Sequence, residues 1–408
     1  MRKERIRPEP LAAEKPARVA VLDLDVLDLP PRIEQADSHA GALALLRIAG
    51  RPCGQAVLSF AHWRHDRPVI ENVTAGANAP FWEAWLRYRL GEWESDDGAA
   101  PTAPAADIVI CTRDRPDDLR KCLQGLMAMP QDGQEIIVVD NASRTEETRH
   151  IVESFAGVRY LREDRPGLDI ARNTGLRAAR HEVVAFIDDD AAPDRLWLRR
   201  LRRNFDRPSV AAAGGLTMPM ELETEAQIGF ERVGGLGRGF RHVLYDQTNC
   251  DAFRAWCAGA GVNMALRRSV LDRIGWFDEA LDAGTQAFAG GDADFFRRII
   301  NAGWQIAYDP EALNWHRHRR TMAELEQQIF GYEVSNFAIM TKSLVYERDA
   351  GALGALARWL RMRAPQLVTL ATGRRQGLPF NPLVPQMRGA LAGPRRYRAA
   401  VKALRSRD

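Results

Sequence analysis

The sequence predicts an α/β protein with a central, mostly parallel sheet and helices on both faces. The first observation is three short runs, "ADIVICT", "QEIIVVD" and "EVVAFID", apolar at consecutive rather than alternate positions and each ending at a polar residue. A strand apolar on both sides is buried on both sides, as in sheets with helical crossovers. The second is that helical patterns separate these runs. The third is a change of character towards both ends of the chain, which marks off two smaller units.

Residues 1–92 read as a small, β-rich α+β unit of unassigned role. "ARVAVLDLDVLDLP" and "LALLRIAGRPCGQAVLSF" are short apolar pieces broken by Gly and Pro, the pattern of strands and turns. "PFWEAWLRYRLGEW" then spaces Phe81, Trp85, Tyr88 and Leu90 as one amphipathic helix. Residues 93–105 are small, polar and proline-containing, and read as a linker. Residues 106–345 hold the sheet. Its helical patterns include "DDLRKCLQGLMAM", with Leu119, Cys122, Leu123, Leu126 and Met127 on one face, and "IARNTGLRAAR". Residues 346–408 read as a basic helical extension: positions 351–408 carry twelve Arg or Lys and one acid, Asp408.

Composition excludes several classes. The 408 residues, 46% hydrophobic and 27% charged, suffice for a sizeable core and two or three folding units. A net charge of only +3, with no nucleic-acid-binding motif, argues against nucleic acid as partner. Five scattered cysteines without a CxxC pair suit buried free thiols in a reducing compartment. The N-terminus lacks the apolar core of a signal peptide, and no run of about 18 apolar residues would span a bilayer. The expected location is cytoplasmic. The basic extension is either a solvated cap on the sheet domain or an amphipathic surface resting on the inner face of an anionic membrane.

The stretch "VVAFIDDDAAPD" carries the strongest chemical signal. Asp188, Asp189 and Asp190 crowd the end of an apolar strand, where parallel sheets open their ligand clefts. Adjacent carboxylates there form an all-oxygen site suited to Mg²⁺ or Mn²⁺, completed by substrate phosphates. That points to a nucleoside-diphosphate substrate. Asp194 is assigned instead to capping the following helix. A second acidic pair, Asp292 and Asp294 in "GGDADFFRRIINAGW", opens a helix whose apolar face includes Phe295, Phe296, Ile299 and Ile300. A carboxylate there is either a general base near a substrate hydroxyl or an ordinary cap. In "RPGLDIARN", Arg172 lies one turn into a helix, where it reaches a phosphate or faces solvent.

The order of "IVICTRDRPDDLRKCLQGL", "IIVVDNAS", "RPGLDIARNTGLRAARHEVVAFIDDDAAP", "CAGAGVNMALRRSVLDRIGWFDEALDAG" and "GGDADFFRRIINAGW" resembles the family 2 glycosyltransferases over roughly residues 106–320. The resemblance implies a GT-A type, Rossmann-like fold and an inverting transfer from a nucleoside-diphosphate sugar to a glycan, lipid-linked or other hydroxyl acceptor. It puts Asp140 at the nucleotide base, with Thr112 and Arg113 lining the same pocket. Asp188 and Asp190 become the DXD-type element for metal and ribose-diphosphate, with Asp189 adjacent. Asp292 becomes the base on the acceptor hydroxyl, with Asp294 nearby on the acceptor side. His316 in "NWHRHRR" is a further metal or diphosphate contact, or a structural histidine. "CAGAGVNMALRR" resembles the loop before the acceptor side; there Gly259 and Gly261 permit close approach and Trp256 stacks on a sugar, or the segment is a plain glycine turn.

This chain departs from the family at one point: Gly291 stands where the family has Glu. The alternative reading is therefore a sugar-nucleotide or carbohydrate-binding protein without turnover. A pyrophosphorylase would want a Gly- and Lys-containing loop after the first strand, which "CTRDRPDD" lacks, and no GxGxxG supports a dinucleotide enzyme.

Overall fold

The computed structural model describes residues 18–64, 66–93, 103–371 and 381–406, with side chains 367–371 left aside. Residues 1–17 of the N-terminal unit, most of the expected linker, and 372–380 and 407–408 of the extension lie outside the described residues.

Strands β1 (Val19–Asp25), β2 (Gly41–Ile48) and β3 (Arg51–Ser59) form a separate three-stranded sheet, parallel between β1 and β2 and antiparallel between β2 and β3. The β2–β3 turn uses Ala49 and Gly50, both at positive φ, the twist that tight hairpins need. Helices α1 (Val69–Ala75) and α2 (Ala79–Arg89) close a core that includes Leu22, Leu46, Val73 and Phe81. Asn78 caps α2 by accepting from the Phe81 amide. Leu90, expected on the apolar face of α2, is exposed because the helix has already ended. Leu45 carries this unit onto Leu216, Met218 and Leu313 of the larger sheet, flanked by Arg51–Glu311 and Arg47–Asp194 ion pairs of 2.7 and 2.8 Å.

The larger sheet contains β4 (Ala106–Thr112), β5 (Ile136–Asn141), β6 (Val158–Glu163), β7 (Val183–Asp188), β8 (Ala191–Pro193), β9 (Val210–Pro219), β10 (Val243–Tyr245), β11 (Asn263–Arg267) and β12 (Gln305–His316). Its order is β10-β12-β9-β11-β7-β4-β5-β6, with β8 paired to β12. The β7-β4-β5-β6 half is parallel, as its doubly apolar runs require. Beyond β7 the sheet is mixed: β11 runs antiparallel to both β7 and β9, while β9 and β12 are parallel. The sequence did not reveal β11. It lies inside the segment read as a glycine loop, and burial on both faces carries no information about direction.

Alternate strand residues feed opposite cores. Ile108, Ile110 and Val138 meet α3 (Pro116–Met127), α4 (Glu147–Glu153) and α6 (Trp197–Arg202). Val109, Ile137 and Val139 meet α5 (Leu168–Ala178), α8 (Leu271–Ile274) and α9 (Gly291–Asn301). On α3 the expected face holds except for Met127, which the helix end leaves exposed. On α9 the face of Phe295, Phe296, Ile299 and Ile300 is fully buried, each side chain contributing roughly 1.5–3 kcal/mol. Helix α7 (Glu225–Val233) packs beside α10 (Met322–Thr341), and both begin with a capping box, Thr224/Gln227 and Thr321/Glu324.

The basic extension folds back as α11 (Gly351–Ala371) and α12 (Leu383–Arg405). Helix α12 approaches α10 through Gly389 and Gly393, where a Cβ would fall 2.6 Å from the Phe330 carbonyl and 2.7 Å from that of Val334. Tyr397 and Ala400 then pack on Ala280, Leu281, Ala338 and Ile339. Among the described residues no helix is long and apolar enough to cross a membrane.

Candidate active site

The parallel register places the strand ends side by side: Thr112 pairs with Asp140, and Cys111 with Asp188. Directly after the Asp triplet, β8 pairs with β12 and sets Ala191 opposite His316. The Arg317 amide donates to the Asp190 carbonyl at 3.3 Å, fixing the same approach. His316 Nε2 thereby lies 3.2 Å from Asp190 Oδ1. One ligand atom each from Asp188, Asp190 and His316 falls within 4.8 Å of the others, and His316 Nδ1 is buried without a partner. Two carboxylates and an imidazole that converge this closely fit a divalent cation such as Mn²⁺ or Mg²⁺.

The three aspartates differ in environment. Burial pushes Asp188 upward, and the Asp190 charge adds to it. Burial likewise raises Asp189 to about 7, against the opposing Arg115 charge. Asp190 is also buried, but its hydrogen bond and charge pairing with His316 overcome this and hold it well below the usual carboxylate range. Asp189 turns back into the protein: it accepts from Thr112 Oγ1 at 2.7 Å and from Arg115 Nη1 at 3.1 Å. The same Arg115 nitrogen donates to Asp190 Oδ2 at 3.1 Å.

Asp140, at the end of β5, is fully buried. Its Oδ2 accepts from Tyr160 at 2.8 Å and from Arg162 at 2.9 Å, both on β6, whereas Oδ1 has no partner. Arg113 is exposed. Asp114 and Ala142, in the turns after β4 and β5, sit at positive φ (52° and 54°). The Asp114 amide donates to Ser143 Oγ and its carboxylate accepts from the Arg144 amide, so the two strained turns are tied together.

Asp292 enters from the first turn of α9. Its Oδ2 accepts from the Gly261 amide at 2.6 Å and its Oδ1 from the Ala293 amide at 2.7 Å. Burial, then the Asp282 charge, raise it above the ordinary carboxylate value. Gly261 has no room for a side chain: a Cβ would lie 2.5 Å from Arg172 Nη2 and 3.3 Å from Asp292 Oδ2. Gly259 adopts φ 139°, with Gly214 packed against it. Trp256 is exposed on the same loop, and the Arg238 guanidinium sits 5.3 Å from its ring centroid.

Arg172 is buried, which removes the solvated-face reading. Its Nη1 donates to Asp169 at 2.9 Å and to Asp282 at 2.6 Å, and its charge is felt at both Asp188 and Asp292. It bridges the Asp triplet and α9. Asp294 is a correction. Two residues along a helix turn the side chain by about 200°, so Asp294 points away from Asp292. It is fully buried among Arg297, Arg298 and Lys342 at 3.0, 2.9 and 2.7 Å. Burial would raise it, but those cations hold it well below the usual range. It anchors α9 to α10 and its following turn rather than facing an acceptor.

A family model described as glycosyl transferase family 2 matches residues 107–275. The chain carries a family 2 glycosyltransferase domain. A pre-mycofactocin glycosyltransferase of Mycobacterium tuberculosis is 27% identical over 296 residues, covering 68% of this chain and 58% of that protein. The glycosyltransferase AglE of Haloferax volcanii is 24% identical over 226 residues, 53% of this chain and 68% of that one. Among solved structures, the mannosyltransferase PcManGT of Pyrobaculum calidifontis, in complex with GDP-Man and Mn²⁺, is 19% identical with a TM-score of 0.46, covering 80% of this chain and 94% of that chain. The chain thus spans 58% of the length of its mycobacterial relative. The acidic strand ends and the sheet covered on both faces agree with the α/β fold class that the motif order implied.

Sequence reasoning missed five residues of the candidate site: Arg115, Tyr160, Arg162, Asp169 and Asp282. Arg115 was hidden as the lead-in to α3. Tyr160 and Arg162 become visible only through the β5–β6 register, which pairs Asp140 with Arg162. Asp282 carried one signal, its place three residues after "FDE" in a loop too acidic and glycine-rich to be core.

Proposed function

We propose that this chain transfers a sugar from a nucleoside-diphosphate donor to an acceptor hydroxyl, with inversion at the anomeric carbon, in the synthesis of a surface glycan or glycolipid. The observation that carries the reading is the convergence of Asp188, Asp190 and His316 at the strand ends, linked through Arg172 to Asp292.

Asp140 keeps one buried, unpaired oxygen, and an N–H of the nucleotide base supplies the missing donor. Thr112 and Arg115 hold Asp189 back, so that Asp188 and Asp190 are the carboxylates presented to a cation. Asp188, Asp190 and His316 would hold Mn²⁺ or Mg²⁺, which when bound offsets the charge on a departing diphosphate. Asp292 is the base. Two backbone amides fix its orientation, and its raised pKa makes it a stronger proton acceptor than a solvated carboxylate. As Asp292 takes the hydroxyl proton, the acceptor oxygen bonds to the anomeric carbon from the face opposite the phosphate. The bond from that carbon to the phosphate oxygen breaks, and its electron pair leaves with the diphosphate. Gly259 and Gly261 keep the loop close enough for Trp256 to flank the acceptor.

A thermal-shift screen of nucleoside-diphosphate sugars with and without Mn²⁺ tests the donor side. A donor at one hundred times its dissociation constant stabilises by about 2.7 kcal/mol. The shift is expected only with the ion present and is lost in Asp190→Ala. No shift with any donor would overturn the reading.

A further inference from the structure

We infer that Asp169, at the start of α5, supplies the second carboxylate of this centre, standing where a side chain at Gly291 would stand, and positions Asp292 by way of Arg172. The inference deepens the glycosyl-transfer reading and rests on it.

The space argument is direct. If Gly291 carried a Cβ, the three nearest atoms would all belong to Asp169: Oδ2 at 2.1 Å, Oδ1 at 2.3 Å and Cγ at 2.5 Å. A side chain at 291 and the carboxyl of Asp169 therefore exclude one another. The backbone of Gly291 itself is compatible with any L-residue, since it is not among the positive-φ positions. Asp169 is what a side chain there would meet first.

The start of α5 is also tied to the loop that precedes α9. The Leu168 amide donates to the Ala283 carbonyl at 2.8 Å, and a Cβ on Gly284 would fall 3.0 Å from Gly167 Cα. The carboxyl of Asp169 is thus delivered from α5 to Gly291, the residue before Asp292 in the first turn of α9.

From there a chain of contacts leads to the base. Asp169 Oδ1 and Asp282 Oδ2 share Arg172 Nη1, and Asp282 Oδ2 also accepts the Gly291 amide at 3.2 Å. The other terminal nitrogen of Arg172 lies against Gly261, whose amide holds Asp292 Oδ2. Moving the guanidinium moves the wall against which Asp292 is aligned. Meanwhile Asp169 Oδ2 is buried and has no hydrogen-bond partner. An unpaired buried carboxylate oxygen is destabilising to a fold, and that is the expected signature of a group retained for chemistry.

Steady-state kinetics on full-length variants test this, with melting temperatures measured in parallel. Asp169→Asn preserves shape and replaces the carboxyl group that faces Arg172 with an amide; kcat is expected to fall roughly 100-fold, as for a misaligned base, with donor KM within about twofold. Gly291→Glu in the wild-type background is expected to lower both kcat and melting temperature. In an Asp169→Ala background the same substitution is expected to raise kcat at least tenfold over Asp169→Ala alone, and to leave the melting temperature unharmed. Wild-type kcat in Asp169→Asn, or equal damage by Gly291→Glu in both backgrounds, would overturn the inference. If wild-type protein consumes no donor at all, the transfer reading fails instead. The melting temperatures still report whether positions 169 and 291 exclude each other, so the two failures are distinguishable.

Discussion

Asp292 is held at both oxygens by backbone amides, an arrangement that fixes direction without neutralising the carboxylate. Asp292→Asn keeps those contacts in part but cannot accept a proton. Transfer should fall by about 10²–10⁴-fold, the range for a lost general base, while donor binding by thermal shift persists. The pH dependence follows from the same surroundings. Burial and the Asp282 charge both favour the protonated form, so Asp292 ionises above the ordinary value of about 4. Activity needs the ionised form; kcat/KM should therefore rise with pH through a limb displaced above that value. Asp282→Asn removes one of the opposing charges and should move the limb to lower pH. An unmoved limb would show that another group controls the rate. At this scale the sequence was legible where a strand end advertised a carboxylate, as at Asp140 and Asp188. It was misread for Asp294, which the helical period alone turns away from Asp292, and it was not legible for Asp169, whose relation to Gly291 exists only in three dimensions.

Among the elements, the short β8 strand has a disproportionate effect. By pairing with β12 it converts two segments far apart in sequence into one cluster, Asp188, Asp190 and His316. The runs that became β4, β5 and β7 were readable because burial on both faces leaves an unbroken apolar signature. β11 is as buried but has only three apolar residues between Asn263 and Arg267, and its antiparallel insertion between β7 and β9 depends on where the chain returns from, which no local pattern encodes. Close helix packing supplies a further prediction. Gly393 meets α10 so tightly that a Cβ would fall 2.5 Å from that of Phe337. Gly393→Val should destabilise by about 1–3 kcal/mol, the usual cost of overpacking, measured by chemical denaturation. An unchanged midpoint would mean that α12 is not seated as described.

Across the whole molecule, both flanking units pack on the central sheet domain. The N-terminal sheet packs on β9 and β12 through Leu45, and the basic extension covers α10 and the loop before α9. Because Tyr397 and Ala400 complete that core, cutting the chain near residue 345 would expose it, so truncation is a poor test of membrane contact. Leu353, Leu360 and Met362 on α11 are exposed beside arginines, which suits an anionic bilayer surface. Flotation with phosphatidylglycerol vesicles should carry the intact protein, weaken as salt rises, and fail when those three residues become Ser. Absence of flotation at low salt would leave the extension as a cap alone.

The most direct measurement of the central claim is release of nucleoside diphosphate from matched sugar donors by the full chain, followed as Mn²⁺ is added, for wild type beside Asp292→Asn. The account predicts metal-stimulated release by wild type, and a variant that still binds donor but releases little. Release that ignores the ion, or that proceeds equally in the variant, would contradict it.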